Sequence, residues 1–183
     1  MRVIAGIARS VPLLSRDGQD TRPTADRVKE AMFNILQFEI EGRTVLDLFG
    51  GSGQLAIEAL SRGAAHGVIV DQSRESVSVI RQNLSRTKLS ERAEIICSDY
   101  MEYLNHAKKT FDLIFLDPPY REKFLENALK RISEIDILTT NGIILCERPV
   151  EKSLPDSYTG FRKFREYRYG KTGITLYRAD HSV

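Results

Sequence analysis

The sequence of 183 residues has no tryptophan and only two cysteines, Cys97 and Cys146. They do not form a CxxC pair, and each ends an apolar run that is typical of a buried strand. Disulfide frameworks and zinc sites need several suitably spaced cysteines, so neither is expected here. We predict that both cysteines are core thiols and that the protein binds no metal.

Long apolar segments are also missing. No run approaches the roughly 20 residues that a membrane-spanning helix needs. The opening residues, Met-Arg-Val-Ile-Ala-Gly, lack the apolar core of a signal peptide. We therefore expect a cytoplasmic protein with no membrane partner.

An excess of charge of one sign is absent as well. Lysine and arginine number 27 and aspartate and glutamate 25, which gives a net charge of +2. This balance excludes an acidic disordered tail and a histone-like protein, so any nucleic-acid surface must be local. With 42% apolar and 28% charged residues the composition is that of one globular domain. Within it we expect residues 1–20 to form an N-terminal hairpin and residues 21–183 to form the core.

Short β-rich runs alternate with helical periodicity from residue 44 onward. Five runs are almost entirely apolar, as strands covered on both faces must be: residues 44–48, 67–70, 93–97, 111–116 and 142–146. The segments between several of them carry the apolar stripe of a crossover helix. This order predicts an α/β fold with a doubly wound parallel sheet.

Two further elements flank this core. Val28, Met32 and Leu36 recur at helical spacing, and Thr24 is predicted to cap the N-terminus of that helix. Residues 161–178 are predicted to form two strands joined at residues 169–173.

A glycine-rich turn follows the first predicted strand. The sequence passes from Asp47 through Leu-Phe into Gly50, Gly51, Ser52 and Gly53. Glycines at such a turn permit positive φ, let a ligand approach the backbone and leave helix N-terminal amides free. A tight strand-to-helix turn without a ligand would use the same residues, so the turn alone leaves both interpretations open.

Acidic residues follow two more of the predicted strands. Asp71, about 20 residues after the turn, is placed to accept hydrogen bonds from both hydroxyls of a ribose. Asp99, followed by Tyr100, is suited to an adenine amine, although either aspartate could instead cap a helix or end a strand. With Asp47, these carboxylates would repel a dinucleotide pyrophosphate, whereas Asp47 would attract the sulfonium and ammonium groups of S-adenosylmethionine.

The fourth predicted strand ends in Asp117, Pro118, Pro119 and Tyr120. Two prolines cannot continue a ladder, so the backbone must leave the sheet in an extended turn. Methylation of an exocyclic base amine requires its nitrogen to become pyramidal. The Asp117 carboxylate and the Pro118 carbonyl could accept its two N–H bonds while Tyr120 stacks on the base. A strand ended by prolines explains each residue singly, but the four together favour a catalytic motif.

Four segments resemble the RsmD-type guanine-N2 methyltransferases of bacterial 16S ribosomal RNA. They are residues 22–34 (Arg-Pro-Thr-Ala-Asp-Arg-Val-Lys-Glu-Ala-Met-Phe-Asn), 47–53 (Asp-Leu-Phe-Gly-Gly-Ser-Gly), 117–120 (Asp-Pro-Pro-Tyr) and 169–170 (Tyr-Gly). Residues 22–34 are the most family-specific part, because the glycine turn and Asp-Pro-Pro-Tyr occur in many amino-methyltransferases. The sequence departs from the family at Gly50, where alanine is usual.

The resemblance implies a class I S-adenosylmethionine-dependent methyltransferase. Its Rossmann-like sheet would be mainly parallel and seven-stranded, with helices on both faces and a small N-terminal hairpin. The implied reaction methylates the N2 amine of one guanine in 16S ribosomal RNA, and the implied partner is an assembling small ribosomal subunit. The resemblance also implies that Arg22 and Thr24 border the cofactor and the base.

Basic residues cluster near both ends of the sequence. Residues 1–16 contain three arginines and no acid, and residues 162–178 contain six basic residues against Glu166 alone. Aromatic residues are interleaved with the second cluster, namely Phe161, Phe164, Tyr167 and Tyr169. The residues predicted to bind RNA are Arg2, Arg9, Arg165, Arg168 and Lys171. A solvated strand face is the alternative explanation for these charges.

Other functions fit the sequence less well. An adenine-N6 methyltransferase also uses Asp-Pro-Pro-Tyr, but enzymes that read DNA sequence usually carry an inserted recognition domain. An NAD-dependent oxidoreductase would need a full G-x-G-x-x-G and would leave residues 117–120 unexplained. A cytosine-C5 methyltransferase needs a cysteine nucleophile in a loop. A non-catalytic RNA-binding assembly factor stays open, although the intact set of aspartates argues against it.

Overall fold

A mixed sheet forms the centre of the computed structural model, which describes residues 1–16, 23–119 and 123–180. Within those residues it has eight strands, in chain order β1 (Thr44–Asp47), β2 (His66–Asp71), β3 (Ala93–Cys97), β4 (Phe111–Leu116), β5 (Leu138–Pro149), β6 (Ser157–Tyr158), β7 (Phe161–Tyr169) and β8 (Thr172–Ala179). Across the sheet the order is β3-β2-β1-β4-β5-β8-β7-β6.

The sheet has a parallel part and an antiparallel part. Strands β1 to β5 pair in parallel, and β8, β7 and β6 extend the sheet from β5 in antiparallel pairing. Parallel strands direct their carboxyl ends to one edge, which we call the carboxyl edge. The residues that follow β1, β2, β3 and β4 therefore meet along this edge.

Helices cover both faces of the sheet. Helices α1 (Pro23–Ile35), α2 (Gln54–Ser61) and α3 (Arg74–Thr87) pack on the first face, and α4 (Tyr100–His106) and α5 (Phe124–Ile135) on the second. On the first face the rings of Phe33 and Phe115 have centroids 5.6 Å apart. On the second, Leu104 and Leu129 belong to one buried cluster with Ile114. Burial on both faces explains why the central strands are almost entirely apolar.

A buried glutamate fixes the N-terminal segment on α2. The Glu58 carboxylate accepts hydrogen bonds from the backbone N–H groups of Ile4 and Ala5, at 2.8 and 3.0 Å. Its charge is balanced by Arg62, whose Nε lies 2.8 Å away, and by the buried Lys29, whose Nζ lies 4.0 Å away. The segment is thus held beside the C-terminal half of α2 by charge-assisted hydrogen bonds.

The predicted fold class is confirmed, with two differences in detail. The additional strand β6 has only two residues, too few to produce a periodic pattern in the sequence. The N-terminal hairpin closes through a single antiparallel bridge between Arg2 and Pro12, without regular strands, and residues 17–20 of the predicted hairpin lie outside the described residues. The division into residues 1–20 and 21–183 of one domain stays a prediction.

Two local predictions are wrong. Helix α1 begins at Pro23, so Thr24 lies inside its first turn and does not cap it; proline suits this position because it lacks an N–H and has a helical φ. Cys97 is exposed, because it ends β3 at the outer edge of the sheet, whereas Cys146 in the central β5 is buried as expected. Among the described residues, no helix is both long and apolar enough to cross a bilayer.

Candidate functional site

A cavity of about 510 Å³ opens at the carboxyl edge of the sheet. It collects the residues that follow four strands, and most of the predicted site residues line it: Asp47, Gly50, Gly51, Ser52, Asp71, Asp99, Tyr100, Asp117, Pro118 and Pro119. Gly53 lies behind the lining at the beginning of α2. Arg22 and Tyr120 lie outside the described residues, as does the side chain of Thr24. The cavity therefore brings together the residues predicted to bind the cofactor and those predicted to act on the base amine.

The glycine turn is shaped by both conformation and packing. Gly51 and Gly53 have φ of +56° and +78°, in the region that favours glycine. A Cβ on Gly51 would meet nothing within 4 Å, so this side of the turn is open. A Cβ on Gly50 would lie 2.6 Å from Cγ2 of Ile69. In this chain alanine at position 50 would require Ile69 to move.

Two of the aspartates hold local backbone as well as lining the cavity. The Asp71 carboxylate accepts hydrogen bonds from the N–H groups of Gly51 and Ser73, both at 2.8 Å, and so fixes the glycine turn. Asp99 caps α4 by accepting from the N–H groups of Met101 and Glu102, at 2.8 and 3.2 Å. The capping interpretation of Asp99 therefore holds, and the residue also lines the cavity.

Asp47 is a deeply buried acidic residue of the site. Its side chain is 1% exposed, and among the described residues neither carboxylate oxygen has a hydrogen-bond partner. Burial raises its pKa to about 7. The backbone N–H groups of Ala56 and Phe49 offset part of this rise without reaching hydrogen-bond geometry, and the charge of Asp71 adds to it. A buried carboxylate in this state would be stabilised by a cationic ligand.

Asp117 lies immediately after β4, where the two prolines end the strand. Burial raises the pKa of its carboxyl well above the usual value, and the negative charges of Glu147 and Asp47 add to the rise. Asp47, at the end of β1, and Glu147, in β5, thus both act on Asp117 at the carboxyl edge. Glu147 was not identified as a site residue from the sequence.

An aromatic cluster forms one wall of the cavity. The ring centroids of Phe49 and Tyr100 are 5.1 Å apart, and those of Tyr100 and Phe124 are 5.4 Å apart. Of these three residues only Tyr100 was predicted from the sequence to belong to the site, although Phe49 directly precedes the glycine turn. Phe124 begins α5 and has no sequence signal that separates it from an ordinary core residue.

Arg16 also lines the cavity, although the sequence placed it only in a basic cluster. Its guanidinium is 3.0 Å from the Glu75 carboxylate and 3.4 Å from the Ser76 hydroxyl, both at the beginning of α3. The N-terminal segment therefore contributes a cation to the rim of the site.

The residues predicted to bind RNA are exposed: Arg2, Arg9, Arg165, Arg168 and Lys171. The Arg165 guanidinium lies 5.6 Å from the ring centroid of the exposed Phe164. Phe161 does not fit its predicted role in stacking bases, because it is 1% exposed and packs with Tyr158 and Tyr177.

Comparison with known proteins yields consistent matches. The family described as conserved hypothetical protein 95 matches residues 1–178. YlbH of Bacillus subtilis is 39% identical, over 97% of this chain and 98% of its own length. "Ribosomal RNA small subunit methyltransferase D" of Haemophilus influenzae is 35% identical, over 97% and 92% respectively. The solved structure of yhhF from Escherichia coli has a TM-score of 0.86 and 31% identity, covering 98% of both chains.

Proposed function

The chain belongs to the conserved hypothetical protein 95 family, and we propose that it transfers a methyl group from S-adenosylmethionine to the N2 amine of a guanine in small-subunit ribosomal RNA. The named relative from Haemophilus influenzae supports rRNA methylation. The choice of guanine N2 rests on the resemblance of residues 22–34. The observation that carries the proposal is the single cavity in which Asp47 and the glycine turn face Asp117 and Pro118.

The cavity has the features that S-adenosylmethionine would need. The buried Asp47 carboxylate would pair with its ammonium group, because neither of its oxygens has a hydrogen-bond partner among the described residues. The open side of Gly51 leaves room for close approach to the backbone. Phe49, Tyr100 and the carboxylates of Asp71 and Asp99 would bind the adenosine. When bound, the cofactor supplies an electrophilic methyl group.

Asp117 and Pro118 would prepare the amine for methylation. The carboxylate and the carbonyl accept its two N–H bonds and favour a pyramidal nitrogen, whose lone pair then leaves the conjugation of the base. The raised pKa of Asp117 suits a group that holds the amine proton after transfer, because a carboxylate of higher pKa is a stronger base. Pro118 and Pro119 fix the backbone that carries these acceptors.

The base must leave its stack to reach the cavity, which is easiest in a loop of RNA. Arg2, Arg9, Arg165, Arg168 and Lys171 would hold the phosphate backbone meanwhile. We further propose an assembling small ribosomal subunit as the partner and the cytoplasm as the location, with residues 1–183 acting as one methyltransferase domain.

The proposal is tested by transfer of labelled methyl groups into total RNA and ribosomal particles from a strain that lacks the protein. The wild-type protein should label small-subunit RNA.

Asp117→Ala should bind the cofactor within a few-fold of wild type but turn over roughly 100-fold more slowly, because the lost acceptor acts mainly in the transition state. Asp156→Ala is the control, because Asp156 is exposed and away from the cavity. Near-normal turnover of Asp117→Ala would make Asp117 only a turn residue.

A further inference from the structure

Glu147 lies beside the catalytic aspartate on the neighbouring strand. In the parallel pairing of β4 and β5, Leu116 is in register with Cys146, and Asp117 and Glu147 are the next residues of the two strands. Adjacent strands are about 4.8 Å apart, so the two side chains begin within one strand spacing of each other. The charge of Glu147 also contributes to the raised pKa of Asp117, which agrees with their proximity.

The two carboxylates lie on the same face of the sheet. Phe115 and Leu145, two residues before Asp117 and Glu147 respectively, both belong to the core cluster under α1. Because side chains alternate along a strand, Asp117 and Glu147 are on that face as well. The carboxyl edge therefore carries two adjacent carboxylates on one face of the sheet: Asp117 lines the cavity, and Glu147 lies next to Asp117 on the neighbouring strand.

The backbone that carries Glu147 is rigid. Glu147 pairs with Ile174 of β8, so it lies inside the sheet and not in a loop. The next residue, Arg148, is buried and donates hydrogen bonds to the Thr175 hydroxyl at 2.8 Å and the Glu166 carboxylate at 2.7 Å. A group held in this way can act as a fixed acceptor.

A second acceptor beside Asp117 distinguishes the bases that have an exocyclic amine. Adenine has an acceptor, N1, next to its N6 amine, and cytosine has an acceptor, N3, next to its N4 amine. Guanine alone has a donor, N1–H, next to its N2 amine. We propose that Glu147 accepts the guanine N1–H and selects guanine over adenine and cytosine. This inference rests on the proposed function and supplies the discrimination that Asp117 and Pro118 cannot provide alone.

The test replaces the donor at N1 with an acceptor. 2-Aminopurine keeps the amine at C2 but has a lone pair at N1, which a carboxylate repels. Once the methylated position is located, small subunits are reconstituted with guanine or 2-aminopurine at that position. Wild type should prefer guanine, measured as kcat/KM. In Glu147→Gln the amide can donate as well as accept, so the preference should fall by roughly ten-fold or more. The missing O6 of 2-aminopurine affects both proteins equally and cancels in the comparison.

Controls separate the possible outcomes. Glu151→Gln, in the exposed segment after β5, should keep the wild-type preference. Glu147→Asp keeps a carboxylate and should retain the preference for guanine even if its turnover falls. Equal use of both bases by wild type, or an unchanged ratio in a folded Glu147→Gln that binds the cofactor, would overturn the inference. If wild type forms no N2-methylguanine at all, the proposed function itself fails, and this is seen before any variant is compared.

Discussion

At the scale of single residues, Asp47 combines burial with the absence of a hydrogen-bond partner among the described residues. Its carboxyl has a pKa near 7 instead of 3.8, so the folded protein binds a proton there that the unfolded chain has lost. The contribution of Asp47 to the free energy of unfolding therefore decreases as pH rises from about 4 to about 7. A cationic ligand reverses this effect because it favours the ionised carboxylate.

We predict that Asp47→Asn removes this pH dependence. Compared with wild type, the variant should gain stability between pH 5 and pH 8, by on the order of a few kcal/mol, when both are unfolded by urea without cofactor. Its affinity for S-adenosylmethionine should be weak at every pH, whereas wild-type affinity should rise with pH up to about 7. Parallel pH profiles for the two proteins would show that Asp47 is ionised throughout.

Asp71 fixes the glycine turn and is predicted to accept hydrogen bonds from the ribose, so one substitution removes both contributions to cofactor binding. Asp71→Ala should weaken S-adenosylmethionine binding by about 1.5–3 kcal/mol, the usual effect of losing hydrogen bonds to a charged group, while the protein remains folded. Asp71→Asn keeps one oxygen that can accept from Gly51 and should bind with intermediate affinity. Calorimetric titration gives both affinities. Unchanged binding by folded Asp71→Ala would remove this residue from the cofactor site.

At the scale of secondary structure, strand β7 carries the strongest candidate for RNA contact. Beyond Lys163 it is an edge strand, and Arg165 and Arg168 are exposed on it. Other cations of the same region are already paired: Arg162 with Asp180, and Lys163 with Asp156 and Glu166. Arg162 and Lys163 therefore stabilise the region around β7 and β8, whereas Arg165 and Arg168 can contact RNA phosphates.

Reversing Arg165 and Arg168 to Glu should weaken RNA binding and flatten its salt dependence. Each lost phosphate contact removes about 0.7–0.9 units from the slope of log K against log salt concentration. A control that reverses Lys108 and Lys130 to Glu makes the same change in net charge at other exposed positions and should leave the slope near that of wild type. If both double variants behave alike, β7 is an ordinary solvated strand.

The elements whose pattern is set by burial could be predicted from the sequence. The parallel strands are covered on both faces, so their apolar runs were recognisable in the sequence. Only the bounds of some strands differ: the run predicted at 142–146 belongs to a strand of residues 138–149. The beginning of α1 was misplaced by two residues, because a cap at Thr24 implies a helix from residue 25 and the helix begins at Pro23; proline and threonine are both common at helix starts. Exposure at a sheet edge, as at Cys97, depends on strand order and could not be read from local sequence.

At the scale of the whole molecule, the site depends on the topology of the sheet. Asp47, Asp71, Asp99 and Asp117 are distant in sequence and meet because parallel strands end at one edge, which the alternation of elements was sufficient to predict. Helix packing and the N-terminal segment bring Phe124 and Arg16 to the same cavity, and strand register places Glu147 beside Asp117. None of these three has a local motif, so only the assembled structure identified them.

The most direct test of the account is the identity of the methylated nucleoside. Small subunits prepared without the modification are incubated with the protein and S-adenosylmethionine, and the digested RNA is analysed by mass spectrometry. We predict N2-methylguanosine in small-subunit ribosomal RNA. N6-methyladenosine as the product, or activity confined to duplex DNA, would contradict it.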